Sequence, residues 1–274
     1  MIFFHLRTLI NLIIILFSFT LLNCKQSDPI ETEYTLVWED VFGGNAIDTI
    51  NNWEFQIGDG ANYGLWRWGN NEDQYYRKEN ARVSNGKLLI KAVAEDYNGY
   101  SYTSARMRTK GKVDFKYGKI EAMIRMANTK GLWHAFWLLP STPSQNWPMS
   151  GEIDIMEYVG NAPHEILNTL HFADNFDNHQ YIGSATPFTE DNQFHLYSIE
   201  WDENKIIWYF DDEETFRVIR SNPNISSTWP FDTEFHIILN TAVGGNLGGT
   251  IDAASLEYPK YMEVDYVKVY QKLE

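Results

Sequence analysis

The sequence predicts an all-β protein, an antiparallel β-sandwich with very little helix. Three observations point there. From about Tyr34 to the end the chain is a succession of short alternating or β-rich runs broken by Gly, Asn, Asp and Pro. It contains no heptad, no sustained 3.6-residue apolar period and no internal repeat, and it contains no internal linker that would divide the strands into separate units. Two sheets can then bury a common core and leave one outer face concave, and 274 residues are within the range of one large sandwich.

Residues 1–23 read as a targeting segment rather than part of the fold. Arg7 supplies a weak positive region, and residues 9–22 are apolar except for Asn11, Ser18 and Thr20, a core too short for a membrane-spanning helix. The run Leu21-Leu22-Asn23-Cys24-Lys25 resembles the lipobox of bacterial lipoproteins, in which the cysteine becomes the lipidated first residue, although Asn23 stands where a small residue is usual. Cys24 is the only cysteine, and an odd cysteine in an exported chain calls for an explanation that lipid attachment supplies. A plain signal peptide with an incidental thiol is the alternative. Residues 24–33 form a polar tether with Ser27, Asp28 and Pro29, and residues 34–274 form the folded domain.

Within that domain, clear strands are expected at residues 87–94, 118–126, 151–158, 195–201, 205–210, 235–242 and 262–271, with loops at 58–71 and 140–148. Gly244-Gly245 and Gly248-Gly249 are not followed by Lys-Ser/Thr or a helix, so they read as a tight loop and not as a phosphate cradle. None of the 7 histidines has zinc-site spacing, which argues against metal-assisted hydrolysis. The formal charge of −15 excludes nucleic acid and anionic membrane as natural partners. Aromatic content is high, with 10 Trp, 16 Tyr and 16 Phe, more than a core of this size needs, so some rings belong on a working surface.

The informative strand is Gly151-Glu152-Ile153-Asp154-Ile155-Met156-Glu157-Tyr158. Alternation puts Glu152 and Asp154 on one face and Ile153 and Ile155 in the core, and would turn Glu157 inward. A bulge at Ile155 or Met156 shifts the parity and returns Glu157 to the face of the other two. Three adjacent carboxylates cannot all ionise cheaply, so at least one holds a proton near neutral pH. That suits retaining glycoside hydrolysis, which needs an ionised nucleophile and a protonated acid about 5 to 5.5 Å apart. Glu152 is assigned as nucleophile, Glu157 as acid/base and Asp154 as the group that tunes the nucleophile. A polar-out strand is the bland reading of Glu-x-Asp alone.

At this point the chain resembles glycoside hydrolase family 16, in its bacterial laminarinase branch of endo-β-1,3-glucanases. The resemblance runs from about Leu36 to Tyr270. It rests on Leu36-Val37-Trp38, Trp68-Gly69-Asn70-Asn71-Glu72, Tyr75-Tyr76, Tyr102-Thr103-Ser104-Ala105-Arg106, Lys116-Tyr117-Gly118, Gly131-Leu132-Trp133, the carboxylate strand, Ala242-Val243-Gly244-Gly245 and Val264-Asp265-Tyr266-Val267. Met156, the extra residue of the bulge, favours the laminarinase-like branches over those with the shorter Glu-x-Asp-x-Glu. The resemblance implies a jelly roll with a concave substrate groove, a β-glucan polysaccharide as partner, no cofactor required for catalysis and a monomer.

Sugars offer flat apolar faces and a rim of hydroxyls, so a glycan groove needs exposed rings beside hydrogen-bonding groups. Trp147 resembles the ring that family members place under the sugar at the cleavage point. Trp133 and Trp137, four apart on a strand, share a face, and either both line the groove or both are core. Asn70, Glu72 and Arg106 lie in segments matching the family's groove loops and are expected to contact sugars, with a surface Glu72–Arg106 ion pair as the alternative. His171 matches a family position near the site and is expected to be a hydrogen-bond partner rather than a base. Several members hold a structural calcium; Asp265 matches its aspartate, with Glu39 and Gly86 as carbonyl donors. Asp73, His134 and Asn168 depart from the family pattern, at positions expected near the groove, and leave the glycan open: a mixed-linkage β-1,3-1,4-glucan or an algal galactan is the alternative substrate. The rival from another class is a non-catalytic glucan-binding module, which would generally lack the acidic pair.

Overall fold

The computed structural model describes residues 34–189, 192–225 and 227–272; Cys24, the targeting segment and the tether lie outside the described residues. Two sheets face each other. The carboxylate-bearing sheet runs, edge to edge, His179–Pro187, Glu165–Ala173, Glu152–Val159, Leu132–Pro140, Phe235–Val243, Arg106–Arg108 and Glu54–Phe55, with Asp114–Phe115 also paired to Phe235–Val243. The second sheet runs Glu213–Ile219, Lys205–Phe210, His195–Trp201, Gly118–Met126, Lys260–Lys272, Lys87–Tyr97, Tyr100–Ser104 and Gln74–Tyr76, with Tyr34–Asp40 and Ala81–Ser84 paired onto its longer strands. Pairing is antiparallel, except that Gln74–Tyr76 runs parallel to Tyr100–Ser104.

Alternation explains the core between the sheets. Ile90, Ile120, Ile124, Val264 and Val267 come inward from one sheet, and Phe136, Leu138, Ile153, Leu170, Ile237 and Leu239 from the other, all buried in one cluster. Each such side chain contributes about 1.5–3 kcal/mol of burial, which fixes the register and hence which residues face outward. The glycine-rich segment contains the single α-helix among the described residues, the one turn Gly245–Gly248, where the sequence predicts only a loop. It is entered through Gly244 at φ 67°, where a side chain would also collide with the Asp73 carboxylate.

The strand Glu152–Val159 carries the bulge that the parity argument requires. Against Glu165–Ala173 the pairing passes from Asp154↔Thr169 to Glu157↔Leu167, and against Leu132–Pro140 it slips between Phe136 and Trp137. Ile155 and Met156 both enter the core. A bulge breaks the ladder and leaves carbonyls without partners. Asn168 Nδ2 donates to the Ile155 carbonyl at 2.8 Å, and Trp208 Nε1, from the opposite sheet, donates to the Asp154 carbonyl at 2.8 Å. Asn168 is therefore buried behind the sheet, a position where a glycine could not supply the donor. His134 is also behind it, bonded to Thr241 Oγ1 at 2.9 Å and to the Ala127 carbonyl at 3.1 Å. Two of the three departures thus support the sheet from inside instead of lining the groove. Trp208→Phe keeps the ring and removes the donor; it is expected to cost about 1–3 kcal/mol in urea unfolding, the penalty of an unsatisfied buried carbonyl.

Candidate active site

One face of the carboxylate sheet gathers the residues singled out in the sequence. The central strand presents Glu152, Asp154 and Glu157. Next to it, Trp133, Ala135 and Trp137 share that face, because Ala135 lies opposite Glu157 and Trp137 opposite Asp154. Both tryptophans are partly exposed on this face rather than in the core. Trp133 Nε1 donates to Glu157 Oε1 at 3.0 Å. On the other side of the central strand, His171 lies opposite Glu152, and its Nε2 is 3.2 Å from Asp154 Oδ2. Trp147, from the preceding loop, is 49% exposed and donates from Nε1 to Glu152 Oε2 at 2.7 Å. One donor atom from each of Glu152, Asp154 and His171 lies within 4.8 Å of the others.

Enclosure and mutual repulsion move all three acids upward. Burial, then the Asp154 charge, pushes Glu152 up to about 8, against the opposing pull of His171, Trp147 and Arg106. Burial raises Asp154 to about 8. Burial, then Asp154 and Glu152, drives Glu157 well above the usual carboxylate range. Both carboxylate neighbours add to burial in raising Glu157, against His171 and the Trp133 N–H, whereas on Glu152 only Asp154 adds to burial, against His171, the Trp147 N–H and the Arg106 guanidinium. Glu152 is thus the acid of the pair whose surroundings do more to favour an anion, although burial raises both.

The same shifts predict a pH dependence of stability. A carboxyl with a raised folded value binds more protons folded than unfolded between the ordinary value of 4.5 and about 8. Its stabilising contribution is complete below 4.5 and is lost as pH rises through about 8. Glu152→Gln removes that loss, so its melting temperature at pH 8 should exceed the wild type's by about 2–4 °C per kcal/mol recovered, and the difference should shrink toward pH 5 in thermal melts.

The far side of the face corrects part of the sequence reading. Glu72 is 2% exposed and both its oxygens are engaged: Gln74 Nε2 donates at 2.6 Å, Tyr76 OH at 3.0 Å and Asn70 Nδ2 at 3.3 Å. The chain continues from Asn240 Nδ2 to Tyr76 OH at 3.2 Å and from Trp137 Nε1 to Asn240 Oδ1 at 2.8 Å. Glu72 is therefore the buried anchor of a network that ends on a groove tryptophan, not a sugar contact, because burial leaves its oxygens no access to solvent. Arg106 is also buried and makes no surface ion pair with Glu72. Its guanidinium lies 4.6 Å from the Trp68 ring centroid and 4.7 Å from that of Trp137, and its Nε donates to Gln56 Oε1 at 2.7 Å. Asn70 remains partly exposed at the rim. Asp73 pairs with Arg67 in the same loop.

His179, Tyr181, Asn240, Gln56 and Trp68 join this face; Trp68 stands in a family motif with no role assigned to it, and the other four do not stand out in the sequence. For His179 and Tyr181 a signal is present. The Asp174 to Asn178 stretch is a turn signal, and folding the chain there sets Tyr181 opposite His171. His179 Nε2 contacts His171 Nδ1 at 2.8 Å and its ring lies 4.7 Å from Trp147.

The proposed calcium residues are on the other sheet. Asp265 sits at a register shift between Val264 and Tyr266, and Lys87 Nζ donates to its Oδ1 at 2.7 Å. The ammonium occupies the one carboxylate that an ion would use, so calcium would have to displace Lys87 before Asp265, with Glu39 and Gly86 as carbonyl donors, could supply part of a shell of about six to eight oxygens. Adding a chelator or millimolar calcium should then move the melting temperature by less than about 1 °C, read by calorimetry.

Residues 66–268 match the family described as Glycosyl hydrolases family 16. The chain belongs to that family. It is 38% identical over 281 residues to a beta-glucanase of Rhodothermus marinus, covering 96% of this chain and 94% of the relative. Its fold superposes on the laminarinase catalytic domain of Thermotoga maritima MSB8 with a TM-score of 0.80 at 38% identity, over 88% of this chain and all of that one (100%). A laminarinase from Flavobacterium sp. UMI-01 superposes with a TM-score of 0.76 at 39% identity, over 86% and 100% of the two chains. These family 16 neighbours fit the two antiparallel sheets described above.

Proposed function

We propose that the protein is an endo-β-1,3-glucanase that cleaves laminarin-type glucan by double displacement. The observation that carries this reading is the bulged strand, which sets three carboxylates on one open face with Trp147 bonded to one terminal acid and Trp133 to the other. Glu152 attacks the anomeric carbon while Glu157 gives its proton to the departing glycosidic oxygen, and a glycosyl ester forms on Glu152. Glu157, now ionised, takes a proton from water, which attacks the same carbon and releases the sugar with its original β configuration. Asp154 holds and tunes Glu152, and no cofactor takes part. The exposed ring of Trp147 lies under the reacting sugar, with Trp133 and Trp137 extending the apolar floor.

The names of the relatives support the β-1,3 linkage, and the acid pair argues against a binding module. Reducing-end release from laminarin, mixed-linkage glucan, carboxymethylcellulose, agarose and carrageenan, each beside a Glu152→Ser control, tests the substrate. Laminarin is expected to be cleaved and the control to be silent; cleavage confined to a galactan would overturn the linkage, and no cleavage at all would overturn the enzyme. We also propose that the chain is exported, held on a bacterial membrane by a lipid on Cys24, and monomeric. Loss of fatty-acid labelling in Cys24→Ser, and the mass of residues 25–274 in solution, test these two points.

A further inference from the structure

His179 closes a ring of contacts around the nucleophile. Trp147 donates to Glu152, His179 packs on the Trp147 ring at 4.7 Å, His179 Nε2 meets His171 Nδ1 at 2.8 Å, and His171 Nε2 faces Asp154 Oδ2 at 3.2 Å. That Oδ2 is buried and has no hydrogen bond of its own. We propose that His179 is a positioning residue for the hydrolysis: it completes the hydrogen bonding of His171 and so lets His171 serve Asp154, the partner of the nucleophile. The inference rests on the catalytic roles proposed above and adds a residue to them.

The argument follows from what two neutral imidazoles can do at a nitrogen–nitrogen contact. One must donate and the other accept. When Asp154 is ionised it can only accept, so the His171 proton sits on Nε2 and the bare Nδ1 requires the N–H of His179. When Asp154 carries a proton it can donate to Nε2, the His171 proton sits on Nδ1, and His179 Nε2 accepts it. Each ring keeps one proton in both arrangements, and neither leaves a His171 nitrogen unpaired beside the acids. Without His179, the Nδ1 of His171 loses its partner in both arrangements, and the ring that faces Asp154 is no longer held in place. Stacking alone would hold Trp147 but would not supply this switchable partner.

Two substitutions separate these roles. His179→Phe keeps a ring against Trp147 and removes the nitrogen; His179→Gln removes the ring but offers an amide that donates or accepts after a flip. On laminarin, His179→Phe is expected to lower kcat about tenfold, the cost of one hydrogen bond at a charged site, with KM changed less than about twofold, while His179→Gln stays within about threefold of wild-type kcat. Imidazole nitrogen spectra of the substrate-free proteins at fixed pH should show the His171 Nδ1 signal of a hydrogen-bonded nitrogen in wild type and His179→Gln, and a signal shifted away from it in His179→Phe. The inference is overturned if His179→Phe keeps wild-type kcat, if both variants fall equally, or if the His171 Nδ1 signal is the same in all three proteins. Wild type inert on every glucan would overturn the catalytic roles instead, and the spectra would still decide whether His179 pairs with His171 Nδ1.

Discussion

Glu152→Ala is expected to lose at least about 10⁴-fold in kcat on laminarin while still binding it, because removing a nucleophile that acts with its neighbours removes the whole covalent route. The cavity left in its place admits a small anion. Sodium azide should therefore restore part of the activity on a β-laminaribiosyl donor with a good leaving group, and the product should be the α-azide, since the anion attacks from the face that Glu152 occupied. Mass spectrometry and the anomeric coupling constant read the result. A β-azide would place the displaced group on the opposite face and reverse the assignments of Glu152 and Glu157.

The second large effect separates the acid from the nucleophile. Glu157→Gln keeps the shape and the hydrogen bond from Trp133, but cannot deliver a proton to the leaving oxygen. On glucan, whose leaving group is a poor alkoxide, kcat should fall by about 10²–10⁴-fold. On a dinitrophenyl β-glycoside, whose phenolate needs no proton, the first step should be nearly unimpaired and a burst should appear as the glycosyl ester accumulates. The alkaline limb of the pH profile of kcat/KM, set in wild type by loss of the Glu157 proton, should disappear for that substrate. Equal losses on both substrates would mean that Glu157 does not act as the acid.

Periodicity makes the strands with a buried face legible. The strands at 118–126, 195–201 and 205–210 match their expected bounds to the residue. The hairpin strand His179–Pro187 escapes that pattern because most of its residues are exposed and carry no inward apolar period, and Glu54–Phe55 is too short to have any period. The bulge is legible because the alternation set by Glu152 and Asp154 conflicts with an outward Glu157, and that conflict has a single cheap repair. Its support is not legible, since nothing local shows that Trp208 from the other sheet reaches the Asp154 carbonyl. Glu72 shows the limit from the other direction. Its neighbourhood matches a groove loop, but whether a carboxylate in a loop meets sugar or anchors a network depends on Tyr76 and Asn240, and on the folding that brings Asn240 back beside it.

The central claim is that Glu152 carries the sugar between the two steps, and trapping tests it most directly. A 2-deoxy-2-fluoro-β-laminaribiosyl fluoride forms the glycosyl ester through its good leaving group, while the 2-fluoro substituent slows hydrolysis of that ester. Incubation with residues 25–274, followed by peptide mapping, should find one sugar adduct, on the carboxylate of Glu152. An adduct on Asp154 or Glu157, or continued turnover without any adduct, would contradict the account.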